Sequence, residues 1–278
     1  MGFFTGNLVF YIHITGDFMA VKFFHVSDTH LGYYDFETQD ISGENIRESD
    51  VYRAFEYVID RAVEEKPDFV LHSGDLFHRA APSNKTMVEA KRILKKLANA
   101  GIPLYMIAGN HDYPKSVLTA PIHSLYEIGP GKIFYGERYE TLDCGVYTIH
   151  ALPHINEDAR LQEEIEKITI TNPSTINILM LHLSVGDSYI MQEFGERMLS
   201  KDKRELLKSF TYTALGHWHK PQRLEKYGNT YYAGSTERIS ISEVQHPHGY
   251  YCVTAGEELT VEFKDIPLRP IYQFTVQS

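Results

Sequence analysis

Cysteine and positive charge are both scarce in this sequence of 278 residues. Cys144 and Cys252 are the only cysteines, and neither lies in the polar motifs described below, so a disulfide framework or a thiolate metal site is not expected. The formal net charge of −10 argues against a protein that binds nucleic acid by bulk attraction alone. It leaves a nucleic-acid enzyme open, because bound divalent ions supply positive charge where a phosphate must lie.

Long apolar runs are also missing. No segment reaches the ~18–20 apolar residues that a membrane-spanning helix needs. Residues 1–18 contain no Lys or Arg, include Asp17 and lack a small-residue cleavage site, which makes them a poor signal peptide. We therefore expect 1–18 to be an extension outside the core and 19–278 to form a single domain. The same observations predict a cytoplasmic protein without a membrane partner.

An alternation of strand and helix patterns fills the first half of the chain. Short apolar runs predict strands, and apolar residues at helical spacing predict helices between them. The predicted strands are 21–27, 69–72, 104–107, 176–183 and 211–215, and the predicted helices are 50–65, 85–98, 117–127 and 157–167. Thr86 and Glu89 are spaced as a capping box for the second helix. Hairpins are expected over 222–273, and the pattern as a whole predicts an α/β fold with parallel pairing.

Five polar motifs each follow an apolar run directly. They are Asp28-Thr29-His30, Gly74-Asp75, Gly109-Asn110-His111-Asp112, His182 and Gly216-His217-Trp218-His219. Open α/β sheets place their sites at the carboxyl ends of strands, so these motifs are expected to converge. A single Gly-Asp or His-x-His is weak on its own, and the prediction depends on all five occurring in order.

The motifs supply two carboxylates, an amide and several imidazoles, which is a ligand mixture suited to two transition-metal ions. We assign one ion to Asp28, His30, His219 and Asp75, and the other to Asn110, His182, His217 and Asp75. Asp75 is the predicted bridging ligand, because only a carboxylate offers two oxygens. Nitrogen and oxygen ligands without sulfur favour Mn²⁺, with Fe and Zn²⁺ as alternatives to it. Such a centre is typical of phosphoester hydrolysis.

The motifs resemble those of the calcineurin-like metallophosphoesterase superfamily, and the similarity covers most of 22–270. The resemblance implies a four-layer α/β-β/α sandwich with a dimetal centre. It also implies that His111 is not a ligand but a general acid that faces the leaving group, a role worth ~10²–10⁴ in rate. Asp112 is then expected to orient the His111 imidazole.

The residues after Asp75 separate branches of this superfamily. Protein phosphatases continue with Asp-Arg-Gly, whereas this chain has Leu76-Phe77-His78-Arg79. That segment resembles the nuclease branch of the SbcD type, which processes DNA ends in double-strand break repair. The segments 234–238 and 266–270 resemble the same branch. His78 would be a second imidazole near the scissile phosphate, and an ordinary loop histidine is the alternative.

Members of that branch continue into a capping domain and a region that binds an SMC-like ATPase, whereas this sequence ends eight residues after Pro270. We therefore expect a domain without the capping domain that acts on single-stranded DNA or DNA ends. An ATPase partner is expected only for a longer chain, and a homodimer stays open. The alternative function is a phosphatase or phosphodiesterase for small or nucleotide substrates. A non-catalytic scaffold is disfavoured by the intact ligand set and His111.

Overall fold

The computed structural model describes residues 19–34, 38–116, 118–126, 129–186 and 197–272. The extension 1–18 lies outside these residues. The strands are β1 (Val21–Val26), β2 (Phe69–His72), β3 (Leu104–Ile107), β4 (Gly131–Phe134), β5 (Glu140–Asp143), β6 (Tyr147–Leu152), β7 (Ile176–His182), β8 (Tyr212–Gly216), β9 (Gln222–Arg223), β10 (Thr230–Tyr232), β11 (Gly249–Ala255) and β12 (Leu259–Asp265). The five strands predicted individually agree with these bounds to within one residue at each end.

The described strands form two six-stranded sheets. The first has the order β12-β11-β1-β2-β3-β4. In it β1 to β4 are parallel to one another, β11 is antiparallel to β1, and β12 is antiparallel to β11. The second has the order β5-β6-β7-β8-β10-β9, in which β6, β7, β8 and β10 are parallel and the two outer strands are antiparallel. The parallel centres confirm the strand pairing that the alternating pattern predicted, and the hairpins expected after residue 222 are present as β9–β10 and β11–β12.

Three α-helices are described, α1 (Ile46–Glu65), α2 (Asn84–Ala100) and α3 (Asp158–Ile165). Helix α1 begins four residues before its predicted start, because the Asn45 side chain accepts a hydrogen bond from the Glu48 amide and caps it there. Helix α2 is capped by Ser83, which accepts from the Thr86 amide, so the predicted Thr86–Glu89 capping box is wrong. Of the helix predicted over 117–127, the described residues contain only a 3-10 turn, Ile122–Leu125.

Three apolar layers hold the sheets and helices together. One packs α1 and α2 against the first sheet, with Phe55 and Val70 at its centre. A second fills the space between the two sheets, and a third lies under α3 on the outer face of the second sheet. Helix, sheet, sheet and helix therefore form four layers, which confirms the predicted sandwich. Both faces of the central strands are buried, which is why they appear in the sequence as continuous apolar runs.

No helix in the described part of the chain is long and apolar enough to cross a membrane. Cys144 and Cys252 are both free and half-buried.

A buried histidine joins the two sheets beneath the polar motifs. On β1, His25 lies 2.9 Å through Nδ1 from the Tyr212 hydroxyl of β8 and 2.7 Å through Nε2 from Ser73 Oγ. Burial lowers the pKa of His25 to about 3, so the ring is neutral and one nitrogen must accept while the other donates. The Ser73 carbonyl accepts a hydrogen bond from His182 Nδ1 at 2.8 Å. His25 is therefore a core histidine whose network reaches a predicted ligand.

We expect Tyr212→Phe to lower the free energy of unfolding by about 1–3 kcal/mol, because it leaves a buried His25 nitrogen without a partner. Denaturant titration measures this. The matched control is Tyr231→Phe, whose ring stacks on Tyr212 at 5.2 Å but whose hydroxyl makes no contact with His25. Equal small losses in the two variants would contradict a structural role for the hydrogen bond.

Candidate metal centre

The five motifs meet where the carboxyl ends of β1, β2 and β3 face those of β7 and β8. Backbone hydrogen bonds join them directly, since the Asp28 amide donates to the Gly74 carbonyl at 3.0 Å and the His217 amide donates to Asp28 Oδ1 at 3.0 Å. The first sheet contributes the first three motifs and the second sheet contributes the last two. The structure thus brings all seven predicted ligands together.

The backbone at these motifs is strained. Among the described residues, the non-glycine residues with positive φ are Asp28, His30, Asp75 and His217, together with Lys66 at the end of α1. A left-handed conformation costs an ordinary residue free energy and persists only where the surroundings impose it. Lys66 is explained by its position as a helix cap. The other four are predicted ligands, which is the clustering expected at a functional site.

Glycines give the ligands room. A Cβ atom on Gly109 would lie 2.0 Å from Asp75 Oδ1, and one on Gly74 would lie 2.2 Å from His182 Nδ1. A Cβ atom on Gly216 would lie 2.1 Å from the Ser73 carbonyl oxygen. Each of these glycines immediately precedes a predicted ligand in its motif, so close approach of backbone to ligand explains why glycine is needed at these positions.

One group of ligand atoms comes from Asp28, His30 and His219. The Nε2 atoms of His30 and His219 are 3.1 Å apart, and His219 Nε2 lies 4.0 Å from Asp28 Oδ1. Asp28 is fully buried, and its oxygens also accept hydrogen bonds from Ser27 Oγ and the His217 amide. This group matches the first predicted set.

The second group centres on Asn110 Oδ1, which is 3.0 Å from both His182 Nε2 and His217 Nδ1. Asp75 Oδ2 lies 3.3 Å from His182 Nε2 and 3.7 Å from His30 Nε2, so it faces both groups. Its other oxygen, Oδ1, accepts the His111 amide at 2.8 Å. Asp75 therefore faces both groups through one oxygen, Oδ2, whereas the sequence predicted a bridge through both oxygens.

These distances fit two divalent ions. Ligand atoms bound at ~2.1 Å around one ion stand from about 3.0 Å to about 4.2 Å from one another, depending on the angle between their bonds to the ion. Asp28, His30 and His219 form one set of side chains able to hold an ion, and Asp28, Asp75 and His182 form another. The donors are oxygen and nitrogen throughout, so the residues present suit a pair of first-row transition ions.

The charges of the buried carboxylates point the same way. Burial raises the pKa of Asp28, as expected for a carboxylate that lacks a full counter-charge. Burial also tends to raise the pKa of Asp75, but the neighbouring rings of His182 and His30 outweigh this effect and hold the pKa well below its ordinary value. In return, Asp75 offsets the effect of burial on His182 and raises its pKa to about 9. The centre is therefore built to hold positive charge against two anions.

Two of the imidazoles are oriented by a hydrogen bond on the nitrogen away from the centre. His182 Nδ1 donates to the Ser73 carbonyl, and His219 Nδ1 donates to Glu243 Oε1 at 2.8 Å. Glu243 is buried and also accepts the Ile239 amide at 3.1 Å. Such partners fix the tautomer and leave Nε2 as the ligand atom. Sequence analysis missed Glu243, because a single acid in a turn 24 residues after His219 carries no local signature.

The predicted proton donor lies at the edge of the centre. His111 is exposed, its Nδ1 donates to the His78 carbonyl at 3.2 Å, and the two rings stack with centroids 5.4 Å apart. The centroid of His30 is 4.8 Å from that of His111. His78 therefore adjoins the centre instead of standing alone in a loop. These three histidines are also close enough to hold an ion, so the geometry alone leaves both an acid and a ligand role open for His111.

Asp112 requires a correction. It was expected to orient the His111 ring, but its oxygens accept the Gly109 amide at 2.7 Å and the Leu76 amide at 2.7 Å. It also accepts the Phe77 amide at 3.3 Å and lies 3.3 Å from His123 Nε2. Asp112 is fully buried and joins the backbone of two motifs. The group that accepts a hydrogen bond from the His111 ring is instead the His78 carbonyl.

The sequence of this chain is similar to those of known proteins. A model of the family described as calcineurin-like phosphoesterase matches residues 21–221. DNA double-strand break repair protein Mre11 of Methanococcus maripaludis is 33% identical over 81% of this chain and 59% of its own length. The Mre11 protein of Methanocaldococcus jannaschii is 31% identical over 93% of this chain and 70% of its own length. The chain thus spans about 60–70% of these relatives.

Solved structures resemble the fold. A dimetal phosphatase from Danio rerio has a TM-score of 0.54 at 10% identity and covers 88% of this chain and 96% of its own. The purple acid phosphatase PPD1 from yellow lupin seeds has a TM-score of 0.54 at 14% identity, over 89% of this chain and 52% of its own. At these identities the likeness concerns the fold alone.

The position of Asp75 between both groups predicts the outcome of removing it. We expect Asp75→Ala to lose both ions, because each group loses the same carboxylate, whereas Asp28→Ala loses mainly one. Elemental analysis of protein loaded with Mn²⁺ measures the stoichiometry, and circular dichroism checks the fold. Retention of two ions per chain by Asp75→Ala would show that Asp75 does not bridge.

The Glu243–His219 contact predicts a change in metal affinity. We expect Glu243→Leu to weaken Mn²⁺ binding about 10–100-fold, and Glu243→Gln to weaken it less, since an amide oxygen still accepts from Nδ1. Calorimetric titration of metal-free protein measures this. The control is Glu237→Gln, a buried carboxylate that pairs with Arg47 at 3.3 Å and not with His219. Wild-type affinity in Glu243→Leu would refute the role.

Proposed function

Since this chain belongs to the calcineurin-like phosphoesterase family and is thus a metal-dependent phosphoesterase, we propose that it is a nuclease that hydrolyses phosphodiester bonds of DNA in double-strand break repair. The observation that carries the DNA substrate is the segment 76–78, which puts a second imidazole, His78, beside His111 at the candidate centre. Similarity to double-strand break repair proteins over most of the chain supports the same substrate.

The seven candidate ligands give the reaction its framework. Two divalent ions bound here would lower the pKa of a water to near neutrality and neutralise the charge of the phosphate. The residues would hold the ions through imidazole nitrogens and through the buried oxygens of Asp28 and Asp75. We favour Mn²⁺, since the donor set is free of sulfur, and keep Fe and Zn²⁺ as alternatives.

His111 is assigned the proton that the leaving oxygen requires. The DNA leaving group is an alkoxide, which departs poorly unless it is protonated. Because Nδ1 of His111 donates to the His78 carbonyl, its Nε2 is the nitrogen left for the proton transfer. His78 thus makes two contacts at the centre. Its carbonyl accepts a hydrogen bond from the His111 ring, and the centroid of its own ring lies 5.4 Å from that of His30.

Partners follow from the longer relatives. We propose that single strands and DNA ends are bound by this domain, and that a longer chain adds the region for an SMC-like ATPase.

A phosphatase or phosphodiesterase for small substrates is the second candidate. The net charge of −10 favours it, because an acidic protein gains little from long-range attraction to DNA. It requires the same ligands, so the metal centre does not separate the two functions. The choice depends on the substrate that is cleaved.

The deciding experiment compares labelled single-stranded DNA, blunt duplex DNA and a generic phosphomonoester, each with and without Mn²⁺. We expect Mn²⁺-dependent cleavage of single strands and slower cleavage of duplex, because a flexible strand bends a phosphate into the centre unaided. Raising the salt concentration should weaken this activity, as phosphate contacts are lost. Strong phosphomonoester turnover with no DNA cleavage would overturn the nuclease and favour the small-substrate enzyme.

His111→Gln tests the proton donor. We expect metal content to stay near two ions per chain while DNA cleavage falls about 10²–10⁴-fold. A nitrophenyl diester, whose leaving group departs without protonation, should lose much less. If the variant instead loses an ion by elemental analysis, His111 is a ligand in the three-histidine group. Equal losses on both substrates with full metal content would also remove the acid role.

A further inference from the structure

Two exposed side chains next to the candidate centre have no role in the function described so far. Tyr34 is 56% exposed, and the guanidinium of Arg79 lies 5.4 Å from the centroid of its ring. Arg79 is itself exposed. An aromatic ring beside a guanidinium offers a flat face together with a positive charge, so this exposed pair is a candidate contact for a ligand.

The pair continues directly from the metal centre. The segments that follow the first two motifs run side by side, since the Leu31 amide donates to the Leu76 carbonyl at 2.8 Å and the His78 amide donates to the Leu31 carbonyl at 3.0 Å. The Tyr33 ring contacts the His78 ring edge-on at 5.1 Å. Tyr34 and Arg79 are the next residues along these two segments, so they lie at the rim of the centre beside His78.

The guanidinium is also available for an anion. Among the residues that the structure describes, no carboxylate lies within ion-pair distance of Arg79, although the chain is rich in acids. Most other Lys and Arg side chains in the described part of the chain form ion pairs with acidic side chains, as Arg92 and Lys96 do with Glu56. A guanidinium offers five donors in a planar fork that suits a phosphate while its face stays on an aromatic ring.

We propose that Tyr34 and Arg79 form a nucleotide platform, in which a base of single-stranded DNA stacks on the Tyr34–Arg79 pair and Arg79 contacts the phosphate next to the scissile one. The proposal deepens the nuclease function and rests on it. Aromatic rings and Arg planes bind unstacked bases of any sequence, whereas a paired duplex does not present its base faces. The platform therefore selects single strands without reading sequence.

Binding of fluorescent oligothymidylate tests the platform, beside an abasic strand of the same length that has phosphates and no bases. Ca²⁺ replaces Mn²⁺, and strand integrity is checked on a gel. We expect Tyr34→Ala to raise the Kd for oligothymidylate about tenfold and to leave the abasic Kd unchanged. Tyr34→Phe should bind like the wild type, since it keeps the ring.

We expect Arg79 to contribute to the binding of both oligothymidylate and the abasic strand. Arg79→Ala should weaken both and reduce the slope of log Kd against log salt by about 0.7, the value for one phosphate contact on a single strand. Arg79→Lys keeps the charge, so it should restore the slope but not the full affinity. The matched control is Arg223→Ala, whose guanidinium lies 5.6 Å over Tyr231 on the edge of the second sheet. It should change neither Kd.

The outcomes separate this proposal from the nuclease function. If wild-type protein binds and cleaves DNA but Tyr34→Ala binds oligothymidylate normally, the platform is wrong and the nuclease stands. If Tyr34→Ala weakens binding of the base-containing and abasic strands equally, the platform is also wrong, because this result indicates a general disturbance of the rim. If the wild type neither binds nor cleaves DNA while it hydrolyses a nitrophenyl diester, the nuclease function itself fails.

Discussion

The juxtaposition of two buried carboxylates, Asp28 and Asp75, is the constraint on which the rest of the structure depends. Two anions in a site closed to water repel each other, and their burial alone would destabilise the fold. The described residues answer this with imidazoles, amides and backbone N–H groups that converge on the same oxygens. A pair of bound cations would complete that balance, so metal binding and the stability of the interface between the sheets are expected to be linked.

The fold makes this site where the carboxyl ends of strands from two facing sheets meet, and the backbone accommodates the crowding there. Left-handed residues occur in three of the motifs, at Asp28, His30, Asp75 and His217, and glycines at 74, 109 and 216 let the backbone of one motif approach a ligand of another. Left-handed backbone and close approach therefore occur at adjacent residues in two motifs, Gly74-Asp75 and Gly216-His217. They are offset by the apolar layers on both sides of each sheet, which hold the strand ends in register.

Local sequence patterns predicted what depends on local chemistry. Apolar runs predicted five of the strands nearly to the residue, and polar motifs at strand ends predicted the seven converging side chains, because direction and burial follow from a strand and its end. Contacts between distant segments were not predictable in this way. Two of these contacts depend on where separate segments of the chain meet: the Glu243–His219 hydrogen bond and the hydrogen bonds that Asp112 accepts from the backbone of two motifs. The cap of α2 depends on which of two nearby hydroxyl side chains, Ser83 or Thr86, lies at the start of the helix.

Those distant contacts also make the two halves of the centre unequal. His219 is backed by the carboxylate of Glu243, which raises its basicity as a ligand, whereas His182 is backed only by the Ser73 carbonyl. The half that contains His219 has His30 as its second imidazole, and His30 is also the ring that His78 and His111 contact. The imidazole that is backed by a carboxylate and the candidate proton donor therefore share one side of the centre. A proton donor on one side suits an in-line displacement, because only the leaving oxygen needs to gain a proton.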